Sequence, residues 1–204
     1  MAGLVPIPKI TERKLQSLTW VEPKQVLLNL RLLELNLPSN VDEKVRRLRT
    51  NELKEWREAR TAVLFAYGIG EQVLRTPTLV AKSEEKDYDF VMRWNENGVD
   101  CYFPVQLKEL PPDDLNSDVH LDDILAGLSK YSGLDDLSVV VAISRRMRFE
   151  YRPWSAAAKP KIRELWYFGC VSKDQSRWFL YGSALRNDAA YYEFDYPTGK
   201  PNVA

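Results

Sequence analysis

The spacing of apolar residues predicts helices in the first third of the chain. Residues 25–37 are rich in leucine, which favours a helix, although part of this segment alternates strictly and also fits a strand. Within residues 41–74 apolar residues recur mostly every three or four positions, so we predict one or two helices with one buried face. Gly68 and Gly70 indicate where this helical region ends.

From residue 78 onward the spacing is mostly that of β-strands. Residues 78–81 and 88–94 are predicted strands. Residues 95–98 contain the Asn-Gly pair that favours a tight hairpin turn, and residues 99–107 are the predicted return strand. These segments therefore indicate a β-hairpin in the middle of the chain.

A helix and several strands are expected after the hairpin. Residues 121–131 are amphipathic and predict a short helix, whereas the apolar run at 138–143 is typical of a strand covered on both faces. Further strands are predicted over residues 165–171, 178–181 and 191–196. This order predicts an α/β fold with a central mixed β-sheet flanked by helices and a strand-rich carboxyl-terminal part. We divide the chain into an extension (1–40), an α/β domain (41–196) and a tail (197–204).

Composition limits the classes of function. The chain has 204 residues, with 29 basic and 29 acidic side chains, so its net charge of zero excludes a globally basic nucleic-acid binder but not local patches. Basic residues are concentrated in segment 145–163, and they are the candidates for nucleic-acid binding: Arg145, Arg146, Arg148, Arg152, Lys159, Lys161 and Arg163. A second basic cluster, at 44–60, is interleaved with glutamates.

Other residue counts narrow the setting and the chemistry. No apolar run is long enough for a membrane helix, and the first residues lack a hydrophobic signal core, so we expect a cytoplasmic protein without membrane partners. Cys101 and Cys170 are interpreted as two buried thiols. His120 is the single histidine, which argues against the usual Cys/His zinc site, and we interpret it as a surface or helix-capping residue.

Polar residues at one end of the hairpin are the strongest candidates for chemistry. Asp89 directly precedes the apolar start of the first strand, and Gln106 and Lys108 close the return strand. Residues 106 and 108 point to the same face of that strand, roughly 6.5 Å apart. A tightly folded hairpin brings Asp89 near them.

This arrangement resembles the PD-(D/E)xK, or restriction-endonuclease-like, nuclease superfamily. Its core contains a helix, a β-hairpin, a second helix and a further strand in this order, and its signature is an Asp followed by Glu/Asp-x-Lys. Asp89 and Lys108 match the first and last positions, whereas Gln106 stands where a carboxylate is usual; Gln-x-Lys variants do occur. The superfamily commonly adds a glutamate on the preceding helix. Glu58 is our candidate for it and Glu55 the alternative.

The resemblance implies a divalent metal, Mg²⁺ or Mn²⁺, bound by oxygen ligands. It implies as ligands the carboxylates of Asp89 and Glu58, the side-chain carbonyl of Gln106 and the backbone carbonyl of Leu107. Lys108 would orient the attacking water or stabilise the charged transition state. A neutral Gln106 lowers the charge of the site, so metal affinity is expected to be weaker than with glutamate.

The function expected from this resemblance is metal-dependent hydrolysis of DNA phosphodiester bonds, most simply by an endonuclease. The alternative is a catalytically inactive nuclease-like module that binds nucleic acid or protein. The last third of the chain is rich in aromatic residues. Most should belong to the core of strands, and the rest are available for base stacking, a homodimer or another protein partner.

Overall fold

The computed structural model describes residues 12–46, 48–83, 88–131, 134–148, 154 and 159–200. Arg152, one of the predicted nucleic-acid contacts, lies outside the described residues, as do residues 1–11 and 201–204. The five α-helices of the described part are α1 (Glu12–Ser17), α2 (Pro23–Leu35), α3 (Glu43–Arg46), α4 (Lys54–Ile69) and α5 (Leu121–Ala126). Its strands are β1 (Leu79–Lys82), β2 (Phe90–Glu96), β3 (Val99–Leu110), β4 (Leu134–Ile143), β5 (Ile162–Cys170), β6 (Arg177–Gly182) and β7 (Ala190–Asp195).

The strands form one mixed sheet in which neighbours in sequence are neighbours in space, in the order β1 to β7. Strands β3, β4 and β5 run parallel, and every other adjacent pair is antiparallel. The predicted hairpin joins β2 to β3 through Asn97 and Gly98, which both have the positive φ that a tight hairpin turn requires. The predicted α/β fold with a mixed sheet flanked by helices is confirmed.

Each face of the sheet is covered by its own hydrophobic core. Helix α4 packs Phe65 against one face, where Phe90 of β2 and Trp166 of β5 lie in the same cluster. On the other face, the 3₁₀ turn Gly127–Tyr131 that follows α5 packs Leu128 into a second cluster. Strand β4 contributes to both clusters, which confirms that its apolar run is a strand covered on both faces.

The leucine-rich segment of the predicted extension is a helix, α2, and not a strand. Its inner residue Leu27 is fully buried in the α4-side core, and its backbone carbonyl accepts a hydrogen bond of 2.8 Å from the Tyr196 hydroxyl. Leu33 and Leu35 on the outer side are exposed. Residues of the extension thus contribute to the core of the α/β domain.

Helix α4 ends at Ile69, between its two glycines, as the sequence predicted. The chain then continues into a π-helical turn at Gly70–Leu74, which is closed by Arg75 in the left-handed region at φ 56°. Gly68 also serves close packing, because a Cβ atom at this position would overlap the ring of Phe194 in β7. Gly70 is thus the C-cap residue of α4, and Gly68 allows close contact between the helix and the sheet.

The remaining sequence predictions concern single residues and the membrane. Both cysteines are free, Cys101 buried and Cys170 half-buried, which confirms two thiols. His120 is the N-terminal cap residue of α5, and its backbone N–H donates to the Asp123 carboxylate at 3.1 Å. None of the helices described has the length and apolarity needed to cross a bilayer.

Candidate functional site

Asp89 is held at the point where β2 begins. Its backbone N–H donates to the carbonyl of Val105 at 2.8 Å, and its carbonyl accepts from the N–H of Ser83 at 3.0 Å. Its carboxylate Oδ2 accepts from the backbone N–H of Leu107 at 2.6 Å. The backbone hydrogen bond to Val105 therefore extends the β2–β3 ladder by one step, and the bond from Leu107 fixes the carboxylate against β3.

Gln106 completes this contact from the same strand. Its side chain is buried, and its amide Nε2 donates to Oδ2 of Asp89 and, at 3.4 Å, to the backbone carbonyl of Leu107. The amide group thus lies between two oxygen atoms that the resemblance assigned to a metal. The structure brings these three predicted residues together.

Lys108 lies on the same face of β3 as Gln106, because side chains two residues apart in a strand point the same way. Its ammonium lies 5.4 Å from the centre of the Tyr131 ring. Burial lowers the pKa of Lys108, and the nearby carboxylates of Asp89 and Glu58 partly oppose that shift. The site therefore contains a partly desolvated cation flanked by two acids.

Glu58 and its alternative Glu55 have different surroundings. Glu55 is 77% exposed and pairs with Lys82 at 3.0 Å. Glu58 is 43% exposed, pairs with Lys54 at 3.7 Å, and is one of the two carboxylates that act on Lys108. This charge interaction with Lys108 favours Glu58 over Glu55 as the helical member of the candidate site.

Two of the candidate oxygens are placed to bind a hard divalent cation, but the NH₂ group of Gln106 lies between them. The Asp89 carboxylate and the Leu107 carbonyl converge on one point, as an oxygen-preferring metal requires. In the described arrangement that point is filled by the Gln106 NH₂ group, so binding requires the amide to turn and present its oxygen. Among the described residues, no group of three or more His, Cys, Asp or Glu side chains is placed to hold a metal. The acidic residues that the resemblance assigned to a metal number two, Asp89 and Glu58.

The predicted basic segment is not one surface. Arg146 follows β4 at the carboxyl ends of the parallel strands, whereas Lys159, Lys161 and Arg163 precede or begin β5 at their amino ends. Arg163 lies over the ring of Phe103, near the start of β3, at 6.0 Å. The nine residues of β5 span about 26 Å, so the two halves of the segment lie at opposite ends of the sheet.

Arg145 is committed to the loop after β3. Its guanidinium donates to the carbonyls of Pro111 at 2.7 Å and Asn116 at 2.9 Å, and it pairs with Asp113 at 2.9 Å. Its side chain is only 10% exposed. Arg146 and Arg148, in contrast, are exposed. Phosphate contacts from this half of the segment would therefore come from Arg146 more readily than from Arg145.

A cleft of about 960 Å³ opens at the carboxyl ends of β3, β4 and β5. The sequence did not predict it, because its cations come from three separate segments. They are Arg49, Arg57, Arg60, Arg145, Arg146 and Lys173. Glu109 of β3 also lines the cleft and pairs with Arg49 at 2.6 Å and Arg57 at 3.3 Å. The basic cluster at 44–60 contains three of these cations and was the sequence feature that could have indicated the cleft. Its interleaved glutamates made it a weak candidate for anion binding.

The cleft and the candidate site both use residues near the end of β3, and none of the described residues that line the cleft belongs to the candidate site. Lys108 and Glu109 are consecutive, so their side chains point to opposite faces of the sheet, one toward each site. In α4, Arg57 of the cleft wall is followed directly by Glu58 of the candidate site.

Comparison with known proteins found no matching family model, no matching curated protein and no matching solved structure. A function is therefore inferred from this geometry.

Proposed function

We propose that the protein is a metal-dependent nuclease that hydrolyses DNA phosphodiester bonds and has a restriction-endonuclease-like core. The observation that carries the proposal is the convergence of Asp89, Gln106 and the Leu107 carbonyl beside Lys108. The order of α4, the β2–β3 hairpin, α5 and β4 supports it, because that order is the one expected of such a core.

Each residue has a role that follows from its position. Asp89 and Glu58 supply negative charge, and the Leu107 carbonyl and a rotated Gln106 amide supply neutral oxygens for Mg²⁺ or Mn²⁺. A bound divalent metal polarises the phosphate and lowers the pKa of a bound water. Lys108 holds a proton close to the two carboxylates, so it can donate a hydrogen bond to a phosphate oxygen or to the attacking water.

Incubation of the protein with plasmid and linear DNA in Mg²⁺ or Mn²⁺ tests the proposal. The wild type is expected to cut, and Lys108→Ala and Asp89→Asn are expected to lose at least about a hundredfold in rate. Lys130→Ala is the matched control, because Lys130 is exposed and its ammonium lies 5.0 Å from the same Tyr131 ring. Glu55→Gln is the control for Glu58→Gln. Wild type and Lys108→Ala that are equally inert would overturn the proposal.

A nucleic-acid-binding module without catalysis is the second candidate. The Gln106 amide favours it, because the NH₂ group already satisfies the oxygens on which a metal would depend. Such a module binds DNA with a strong dependence on salt and leaves it intact in either metal. Cleavage that is lost in Lys108→Ala and retained in Lys130→Ala would exclude this candidate.

A further inference from the structure

The cleft combines cations with exposed aromatic surface at one end of the sheet. We propose that it binds a single-stranded nucleic-acid segment, with phosphates on Arg146 and Lys173 and a base stacked on Tyr191. The inference deepens the proposed function, on which it rests, by giving the substrate a strand-binding surface. The volume of the cleft is at the upper end of the range of about 300–1,000 Å³ typical of small-ligand sites, which leaves room for more than one nucleotide.

Position in the fold is the first argument. The cleft lies outside the carboxyl ends of the three parallel strands, where Ile143, Ser144, Gly169 and Cys170 line it. Open α/β sheets place their ligands in crevices at this end of their strands. The location is thus one at which a ligand is expected independently of the charges.

Charge is the second argument. Glu109 is the acidic residue among the described lining residues, and its carboxylate already forms ion pairs with Arg49 and Arg57. Arg146 and Lys173 are exposed on opposite loops and have no hydrogen-bond or ion-pair partner among the described residues. They are therefore available to an anionic ligand.

Arg60 adds a buried donor to the cleft wall. Its Nη2 is held by Glu34 at 3.0 Å and by the side chain of Gln175 at 2.8 Å. Its Nε is buried and has no hydrogen-bond partner within the described part of the chain. Arg60 is therefore a fixed cation of the cleft wall, and its buried Nε is closed to a ligand.

Aromatic surface distinguishes a single strand from a duplex. Tyr191 lines the cleft, is 53% exposed, and stacks on Phe179 with ring centres 5.8 Å apart and planes 13° apart. Its hydroxyl donates to Glu193 at 2.9 Å, so the orientation of the ring is fixed at both its face and its edge. A fixed, exposed ring can stack an unpaired base, whereas bases in a duplex are already stacked on each other.

Binding of a fluorescein-labelled single-stranded DNA oligonucleotide, measured by anisotropy in EDTA, tests the inference apart from catalysis. The wild type is expected to bind it at least about tenfold more tightly than a duplex of the same sequence. The double variant Arg146→Ala/Lys173→Ala should weaken binding about tenfold or more and reduce the slope of log K against log salt by about 1.4. The matched control is Lys159→Ala/Lys161→Ala, which removes the same charge from exposed residues at the opposite end of the sheet and should change affinity less than threefold.

Tyr191→Leu and Tyr191→Phe separate stacking from charge. Leucine should lower the affinity for the single strand about fivefold or more and leave the duplex unchanged, and phenylalanine should retain wild-type affinity. A tighter duplex, equal losses in the two double variants, or no binding by the wild type would overturn the inference. A protein that binds the strand in this way and cuts no DNA in metal would lose the proposed function and keep the strand-binding surface.

Discussion

The side-chain amide of Gln106 donates a hydrogen bond to the carboxylate of Asp89. Two oxygens, those of Asp89 and of the Leu107 carbonyl, accept from the same NH₂ group, so its partial positive charge lies where a cation would otherwise bind. The contact stabilises the site without metal, and under the proposed function it would compete with a bound cation. Gln106 is therefore expected to set the metal affinity of the proposed site.

Replacing this amide with a carboxylate should strengthen metal binding. Gln106→Glu places two carboxylates side by side, so the free protein is expected to melt at a lower temperature than the wild type because like charges repel. Mn²⁺ should then stabilise the variant by several degrees more than it stabilises the wild type. Thermal melts in EDTA and in graded Mn²⁺ measure both effects.

Gln106→Met is the control for that experiment, because it removes the amide without adding charge. It should show no stabilisation by Mn²⁺ beyond that of the wild type. An equal response to Mn²⁺ in the wild type and Gln106→Glu would contradict a metal site at this position.

The partly buried ammonium of Lys108 is expected to lower the stability of the folded protein. Burial lowers its pKa below the ordinary 10.5, so the unfolded chain binds more protons than the folded protein between the lowered value and 10.5. Stability should therefore rise with pH across that interval. Lys108→Met should remove this rise and increase Tm at pH 7 by about 2–4 °C, the effect of roughly 1 kcal/mol in a chain of this size.

Lys130→Met provides the comparison for Lys108→Met. Lys130 is exposed and contacts the same Tyr131 ring, so its removal should alter neither Tm nor the pH dependence. A lower Tm in Lys108→Met than in Lys130→Met would show that the buried ammonium stabilises the fold, contrary to this expectation.

The sequence was most informative where one local pattern decides the element. The apolar run of β4 has no polar face, so a strand covered on both sides was its natural interpretation. The turn at Asn97 and Gly98 was predictable because these residues adopt positive φ at low cost. In α2 the period alone was ambiguous, and the packing of Leu27 into the core decides for a helix.

The candidate site was predicted from neighbouring positions on one hairpin, which keeps Asp89, Gln106 and Lys108 close whatever the rest of the fold does. The basic segment had no such constraint. A connection between parallel strands must return to the other end of the sheet, and this separates Arg146 from Lys161 although they are close in sequence. Long-range topology, which the local pattern does not contain, decides which charges share a surface.

Gly68 is expected to be intolerant of any side chain. In Gly68→Ala the new Cβ would lie 2.6 Å from Cζ of Phe194, so the buried Phe194 ring or helix α4 must shift. Unfolding in urea should show a loss of about 1–3 kcal/mol, the usual cost of overpacking. Gly127→Ala is the matched control, because a Cβ at Gly127 meets nothing within 4 Å. Equal stabilities of the two variants would argue against close contact between α4 and Phe194.

Glu109 is expected to link the stability of the protein to acid. Burial alone would raise its pKa, but the hydrogen bonds from Ser144 and Arg49 and the charges of Arg49 and Arg57 outweigh burial and lower it below the ordinary 4.5. The ionised carboxylate therefore stabilises the folded state above about pH 4.5, and this contribution is lost as pH falls through the lowered pKa. Glu109→Gln should lose about 1–3 kcal/mol at pH 7, because Arg49 and Arg57 remain without their carboxylate.

Urea unfolding of wild type and Glu109→Gln at a series of pH values between 7 and 3 measures this contribution. The difference between them should be largest at neutral pH and narrow in acid, whereas Glu55→Gln, at an exposed position, should follow the wild type throughout. The same substitution frees two guanidinium groups in the cleft wall, so the single-stranded oligonucleotide should bind more tightly to Glu109→Gln than to the wild type. A stability difference that stays constant with pH would mean that the carboxylate acts through packing alone, and an unchanged affinity would place Arg49 and Arg57 outside the binding surface.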